Sequence, residues 1–254
     1  MNRIITAVII GSSLLFAVSG EEVFKKKCAS CHEPYIPQSK LNENYEHNNT
    51  LLRLKAPTLT ELSFRLKDQV GDRMIDAEGQ KFQIEEWLAQ FLKDPTAQTK
   101  SILPKRVRAV YGTMPSITVN EDEIEALADY MYEYAEKMMI AHGVKRYSYE
   151  DALKKAKTEG KIVLIEGYLP YCRHCIRMDR NVMVEPMVKE VLDKDFVLVK
   201  MNLLIEKLPL GMKRLGTPSF YFIDPRDPKV IDMFEGEGTV DEFIDLLKSI
   251  KDRL

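Results

Sequence analysis

The stretch Ile162-Val163-Leu164-Ile165-Glu166-Gly167-Tyr168-Leu169-Pro170-Tyr171-Cys172-Arg173-His174-Cys175 decides the fold of the second half of the chain. Residues 162–165 form a continuous apolar run rich in β-branched side chains, the pattern of a strand buried on both faces. A Cys-x-x-Cys pair follows it at the start of a helix, which is a redox arrangement. The helix N-terminus carries unpaired N–H groups and a partial positive charge, so it favours a thiolate at Cys172. Cys175, one turn deeper, is then placed to attack a mixed disulfide and release the bound partner. His174 between them either adds to thiolate stabilisation, which makes the pair comparatively oxidising, or simply faces solvent. Glu166 precedes Cys172 by six positions. Its carboxyl either exchanges the proton of the deeper thiol, with burial raising its proton affinity, or reaches water at the strand end.

Around this stretch the pattern alternates. Residues 149–159 read as an amphipathic helix stopped by Gly160, and helices are expected over 172–180 and 185–194. Strands are expected over 196–201, 219–223 and 229–234, with a closing helix over 240–251. Alternation of this kind, ending in adjacent strands, implies an α/β sandwich.

Residues 147–254 resemble the thioredoxin superfamily, especially its periplasmic members. The resemblance rests on Glu166, Cys172-Arg173-His174-Cys175, Gly216-Thr217-Pro218 and the Gly236/Gly238 turn before the last helix. Tyr171 stands where tryptophan is usual, and Arg173 where glycine or proline is usual. The resemblance implies thiol–disulfide exchange with Cys172 as nucleophile. It also implies a cis Thr217–Pro218 bond that sets backbone beside the dithiol for an extended substrate. The direction of exchange stays open.

The first half turns on a second motif, Lys27-Cys28-Ala29-Ser30-Cys31-His32. Cys-x-x-Cys-His is the attachment pattern of one covalent haem c: Cys28 and Cys31 bond the porphyrin and His32 supplies nitrogen to the iron. All 4 cysteines fall in the two pairs, so no thiol is left for a separate disulfide framework. A zinc site shared by the four is the rival, but its halves lie about 140 residues apart, whereas structural zinc ligands cluster along the chain.

A short helix is expected over 21–27, and Lys25, Lys26 and Lys27 either form a positive rim that steers an acidic partner or are a solvated face. Residues 33–50 are polar and rich in Pro and Asn and read as a loop; His47 within it reads as a surface residue or an alternative iron ligand. Helices are expected over 58–71, 83–93 and 121–139, the last capped by Asn120. Met114, in Tyr111-Gly112-Thr113-Met114-Pro115, is the candidate sixth iron ligand, with Met74 as competitor; most methionines only fill cores.

Residues 21–139 thus resemble a class I cytochrome c, through the 28–32 motif, Ala56-Pro57-Thr58-Leu59, Glu86-Trp87-Leu88, the Gly-Thr-Met-Pro loop and the acidic start of the last helix. That implies a small helical bundle around one haem c, with His32 proximal and Met114 distal. The long polar loop over 33–55 departs from compact members. Residues 1–20 read as an export signal, with Arg3, an apolar run of about 15 residues and small residues at 17–20. An uncleaved anchor is the alternative, though a membrane span needs about 20 apolar residues.

The expected organisation is a signal peptide over 1–20, an all-α cytochrome c domain over 21–142 and an α/β thioredoxin-like domain over 147–254. No stable membrane span is expected after cleavage, and the implied place is the periplasm, where haem c attachment and disulfide chemistry both belong. The net charge of -2 argues against nucleic-acid binding. Three functional readings follow: a haem-containing thiol–disulfide oxidoreductase acting on exported protein thiols and redox proteins; an electron carrier or sensor with a regulatory dithiol; and a reductase of apocytochrome or other protein thiols that docks through its haem domain.

Overall fold

The computed structural model describes residues 18–72, 76–96 and 101–253. Most of the expected export signal, and Met74, lie outside the described residues.

The N-terminal half is helical. Helix α1 (Gly20–Lys27) is capped by Ser19, whose hydroxyl accepts from the Glu22 N–H. Helix α2 (Gln38–Glu46) lies within the stretch expected to be loop. It has no apolar stripe to announce it, because only Leu41 and Asn44 are buried. Helix α3 (Leu59–Gln69) opens on a reciprocal cap between Thr58 and Glu61. Helix α4 (Ala77–Lys93) starts six residues earlier than expected, because Asp76 caps it through the Gly79 N–H. Helix α5 (Lys105–Tyr111) is short, and helix α6 (Glu121–His142) begins at the expected Asn120 cap.

Helix α6 is the axis of this half, packing against α1, α3 and α4. Val23, Phe24, Leu59, Leu66, Ile84, Leu88, Leu127 and Met131 fill the space between them. The α1–α6 crossing is close: a side chain at Gly20 would lie 2.0 Å from the Ala126 carbonyl oxygen. Only glycine fits there.

The C-terminal half is layered around four strands. It comprises helix α7 (Tyr149–Glu159), strand β1 (Ile162–Tyr168), helix α8 (Arg173–Asn181), helix α9 (Pro186–Asp195), strand β2 (Phe196–Asn202), strand β3 (Ser219–Asp224), strand β4 (Lys229–Glu235) and helix α10 (Val240–Lys251). The sheet order is β2-β1-β3-β4. Strand β2 runs parallel to β1, and β3 and β4 are each antiparallel to the strand before them in the sheet.

The period of two along β1 sends alternate side chains to opposite layers. Ile162 and Leu164 pack with Phe220, Phe222 and residues of α8, α9 and α10. Val163 and Ile165 pack with Tyr221, Ile223 and Ala152 and Ala156 of α7. This α/β architecture is the one expected for residues 147–254.

The segment between the halves touches the edge of the sheet at one point. Arg146 forms a parallel bridge to Leu198, and the Tyr147 N–H donates to the Leu198 carbonyl at 2.9 Å. The join therefore lies at the outer edge of β2.

Candidate functional site

Cys172 occupies the N-cap of α8, and its sulfur accepts from the Cys175 N–H at 3.1 Å. The sulfur at this position meets an N–H otherwise left unpaired at the helix start. The two cysteines are joined in a disulfide. Cys172 is half-buried, whereas Cys175 is 1% exposed. A partner therefore reaches Cys172 first, and Cys175 is shielded behind it.

The Thr217–Pro218 bond is cis. The Thr217 carbonyl oxygen lies 3.3 Å from the Cys172 sulfur, and the Pro218 carbonyl accepts from the Gly236 N–H at 2.8 Å. The proline segment, the dithiol and the Gly236 turn thus adjoin one another, although 45 residues separate Cys172 from Thr217.

His174 is exposed on the first turn of α8. Arg177 Nη2 lies 2.9 Å from its Nδ1, and Arg177 also donates to both oxygens of Glu237. Arg177 holds the Glu237 carboxyl below the usual carboxylate range. Sequence reading left Arg177 and Glu237 out, since 60 residues separate them.

Glu166 does not reach water: it is 0% exposed. Burial, and next the charge of Asp179, push its carboxyl above the usual range, while Lys200 and Arg146 pull it down. Lys200 faces it across the β1–β2 register, with Nζ 2.9 Å from Glu166 Oε1. The same ammonium donates to both oxygens of Asp179. The second Glu166 oxygen, Oε2, has no hydrogen-bond partner among the described residues. Lys200 and Asp179 were missed from the sequence. The signal was there, a lysine interrupting the apolar run Phe196-Val197-Leu198-Val199 before Met201.

The second candidate centre lies at the end of α1. The N–H groups of Cys31 and His32 both donate to the Cys28 carbonyl at 3.1 Å, so the two cysteines and the histidine stand on one tight turn of backbone. Cys28 is half-buried and Cys31 exposed. Burial pushes the Cys28 thiol up to about 11. His32 is buried, and its Nδ1 lies 2.7 Å from the Pro57 carbonyl oxygen.

A carbonyl only accepts, so Nδ1 carries the proton and Nε2 keeps its lone pair for a ligand role. Burial also holds His32 below its ordinary value, in the neutral form. This donor set fits a covalently attached haem. Met114 is half-buried and packs against the same helical core that Cys28 borders. His47 is exposed, with Nδ1 against the Glu43 carbonyl of its own helix.

Of the three lysines before the motif, Lys27 does not contribute to a free rim. It donates to the Thr118 carbonyl and pairs with Glu123. In this structure Cys172 and Cys175 are joined to each other and are not gathered with Cys28 and Cys31.

A disulfide at a helix N-terminus, behind a buried strand and beside a cis-proline segment, defines a thioredoxin-like site. Residues 145–225 match the thioredoxin-like family model, and the C-terminal half is a thioredoxin-like α/β domain. Protein disulfide-isomerase from Hordeum vulgare is 33% identical over 93 residues, covering 37% of this chain and 18% of its own length. Protein disulfide-isomerase A3 from Gallus gallus is 35% identical over 95 residues, which cover 35% of this chain and 18% of the relative. The matched stretch is thus under a fifth of these relatives.

Among solved structures, a thioredoxin from Thermus thermophilus aligns with 24% identity and a TM-score of 0.38, over 42% of this chain and 87% of that one. The C-terminal domain of Neisseria meningitidis DsbD in the reduced form aligns with 20% identity and a TM-score of 0.32, over 39% of this chain and 91% of that one. Among the described residues, no helix is long and apolar enough to cross a membrane.

Proposed function

We propose that this chain is an exported thiol–disulfide oxidoreductase whose helical half is a cytochrome c-like domain carrying one covalent haem. The observation that supports it most is Cys172 at the α8 N-cap, accepting the Cys175 N–H with Cys175 buried behind it.

In the reducing direction, the Cys172 thiolate attacks one sulfur of a partner disulfide. That S–S bond breaks, a Cys172–partner bond forms, and the expelled partner sulfur leaves as a thiolate that takes up a proton. Cys175 passes its proton to Glu166 and attacks the Cys172 sulfur, so the intramolecular disulfide forms and the second partner thiolate leaves. The partner gains two electrons and the dithiol loses two. Oxidation of a partner dithiol is the same path reversed. Pro218 and the Thr217 carbonyl border Cys172 and would align an extended substrate strand.

In the helical half, Cys28 and Cys31 would hold the haem by thioether bonds, and His32 and Met114 would ligate its iron. When bound, the group supplies one-electron exchange. The chain's part there is to fix the His32 ring through Pro57 and shield its inner face. The partners proposed are exported protein thiols and disulfides and redox proteins.

The test has two independent arms. For the dithiol, reduction of insulin disulfides should be lost in Cys172→Ser, while Cys175→Ser should accumulate a mixed disulfide visible on a non-reducing gel. Turnover unchanged in Cys172→Ser would overturn the exchange reading. For the haem, full-length chain exported from cells with a c-type maturation system should show covalent haem on a denaturing gel, lost in Cys28→Ala/Cys31→Ala. Colourless protein would overturn that half alone.

A further inference from the structure

We propose that Arg146, on the segment joining the two halves, is a positioning residue for Glu166, acting on it through Asp179 and Lys200. The inference rests on the reading of Glu166 as the proton acceptor of the dithiol, and extends it to the connector.

Glu166 and Lys200 are register partners on β1 and β2. Helix α8 brings Asp179, one turn past Cys175, to the same ammonium. Two carboxylates therefore compete for one lysine, and Lys200 is shared unequally: it donates to both Asp179 oxygens, while it approaches a single Glu166 oxygen, at 2.9 Å. Arg146 adds the second cation. Its Nη2 donates to Asp179 Oδ1 at 3.2 Å, and its backbone is held two residues from Lys200 by the bridge to Leu198.

The charges facing Glu166 are thus Lys200 from β2, Asp179 from α8 and Arg146 from the connector. Strand β3 presents Phe220 opposite it, and the disulfide carries no charge. With Arg146 in place, two cations face two carboxylates and ionised Glu166 completes a neutral set. Without it, Asp179 depends on Lys200 alone, and ionising Glu166 leaves a buried net negative charge. Where the connector lies against β2 therefore sets how readily Glu166 takes and gives up a proton.

The test is a double-mutant cycle in the full chain, oxidised, with glutamate labelled at the side-chain carboxyl carbon and the Glu166 resonance assigned by its loss in Glu166→Gln. The titration midpoint of Glu166 should rise in Arg146→Gln by at least about half a pH unit and fall in Asp179→Asn. In the Asp179→Asn background Arg146→Gln should raise the midpoint less, because Arg146 then acts on Glu166 only through its own charge. An unmoved midpoint in Arg146→Gln, or an equal rise in the Asp179→Asn background, overturns the proposal. The pH profile of thiol exchange separates the two layers. A profile that follows the Glu166 midpoint across the variants supports both, and one unchanged even in Glu166→Gln overturns Glu166 as acceptor while leaving the linkage standing.

Discussion

At the scale of single residues, the chemistry depends on groups kept from water. Glu166 binds its proton more tightly in the folded than in the unfolded chain, since burial is the largest influence on it. Its contribution to stability is therefore fully present below the unfolded carboxyl value and is lost as pH rises through the folded midpoint. Glu166→Gln removes that loss. Denaturant midpoints measured from pH 4 to 9 should show the variant gaining steadily on the parent chain, and a constant difference would contradict the assignment. Glu166 and both cysteine pairs were legible because spacing along the chain reveals them. Lys200, Asp179, Arg177 and Glu237 were not, since ion pairs made across strands and turns leave no periodic trace. The Pro57 partner of His32 was hidden for the same reason.

At the scale of elements, the long apolar runs and the caps could be read from sequence, and short polar segments could not. Helix α10 lies over the expected residues because Thr239 and Glu242 cap it reciprocally and Phe243, Ile244, Leu247 and Ile250 make a continuous buried face. Helix α2 has no such face and takes its N-terminal cap from elsewhere. The Glu185 carboxylate accepts from the Ser39 N–H at 3.0 Å and from its hydroxyl at 2.7 Å. No local pattern could reveal a cap supplied from 146 residues away. The turn from α7 into β1 depends on Gly160, left-handed at φ 66°. Gly160→Ala, with open space for the methyl group, should cost about 1 kcal/mol through backbone strain alone. Equilibrium denaturation would measure it, and no loss would mean the turn relaxes.

At the scale of the whole molecule, the halves meet along the helices that follow the dithiol. Arg180 at the end of α8 donates to Asp68 at 2.6 Å and stacks over the ring of Phe64 at 4.0 Å, both on α3. Arg180→Ala should raise amide hydrogen exchange at the C-terminal ends of both α3 and α8. A rise confined to α8 would show that the helices do not support one another. The division into a helical and a strand-bearing half was readable from the change of period near residue 145; their packing was not, because it depends on isolated charged pairs. The run of chain at Arg146 and Tyr147 has a further consequence. Expressed without its predecessor, the second half would lose the bridge at Leu198 on its edge strand, an invitation for a stranger's backbone to add itself there. Clumping of such a fragment would therefore report a missing lateral neighbour, whatever the soundness of the fragment's interior.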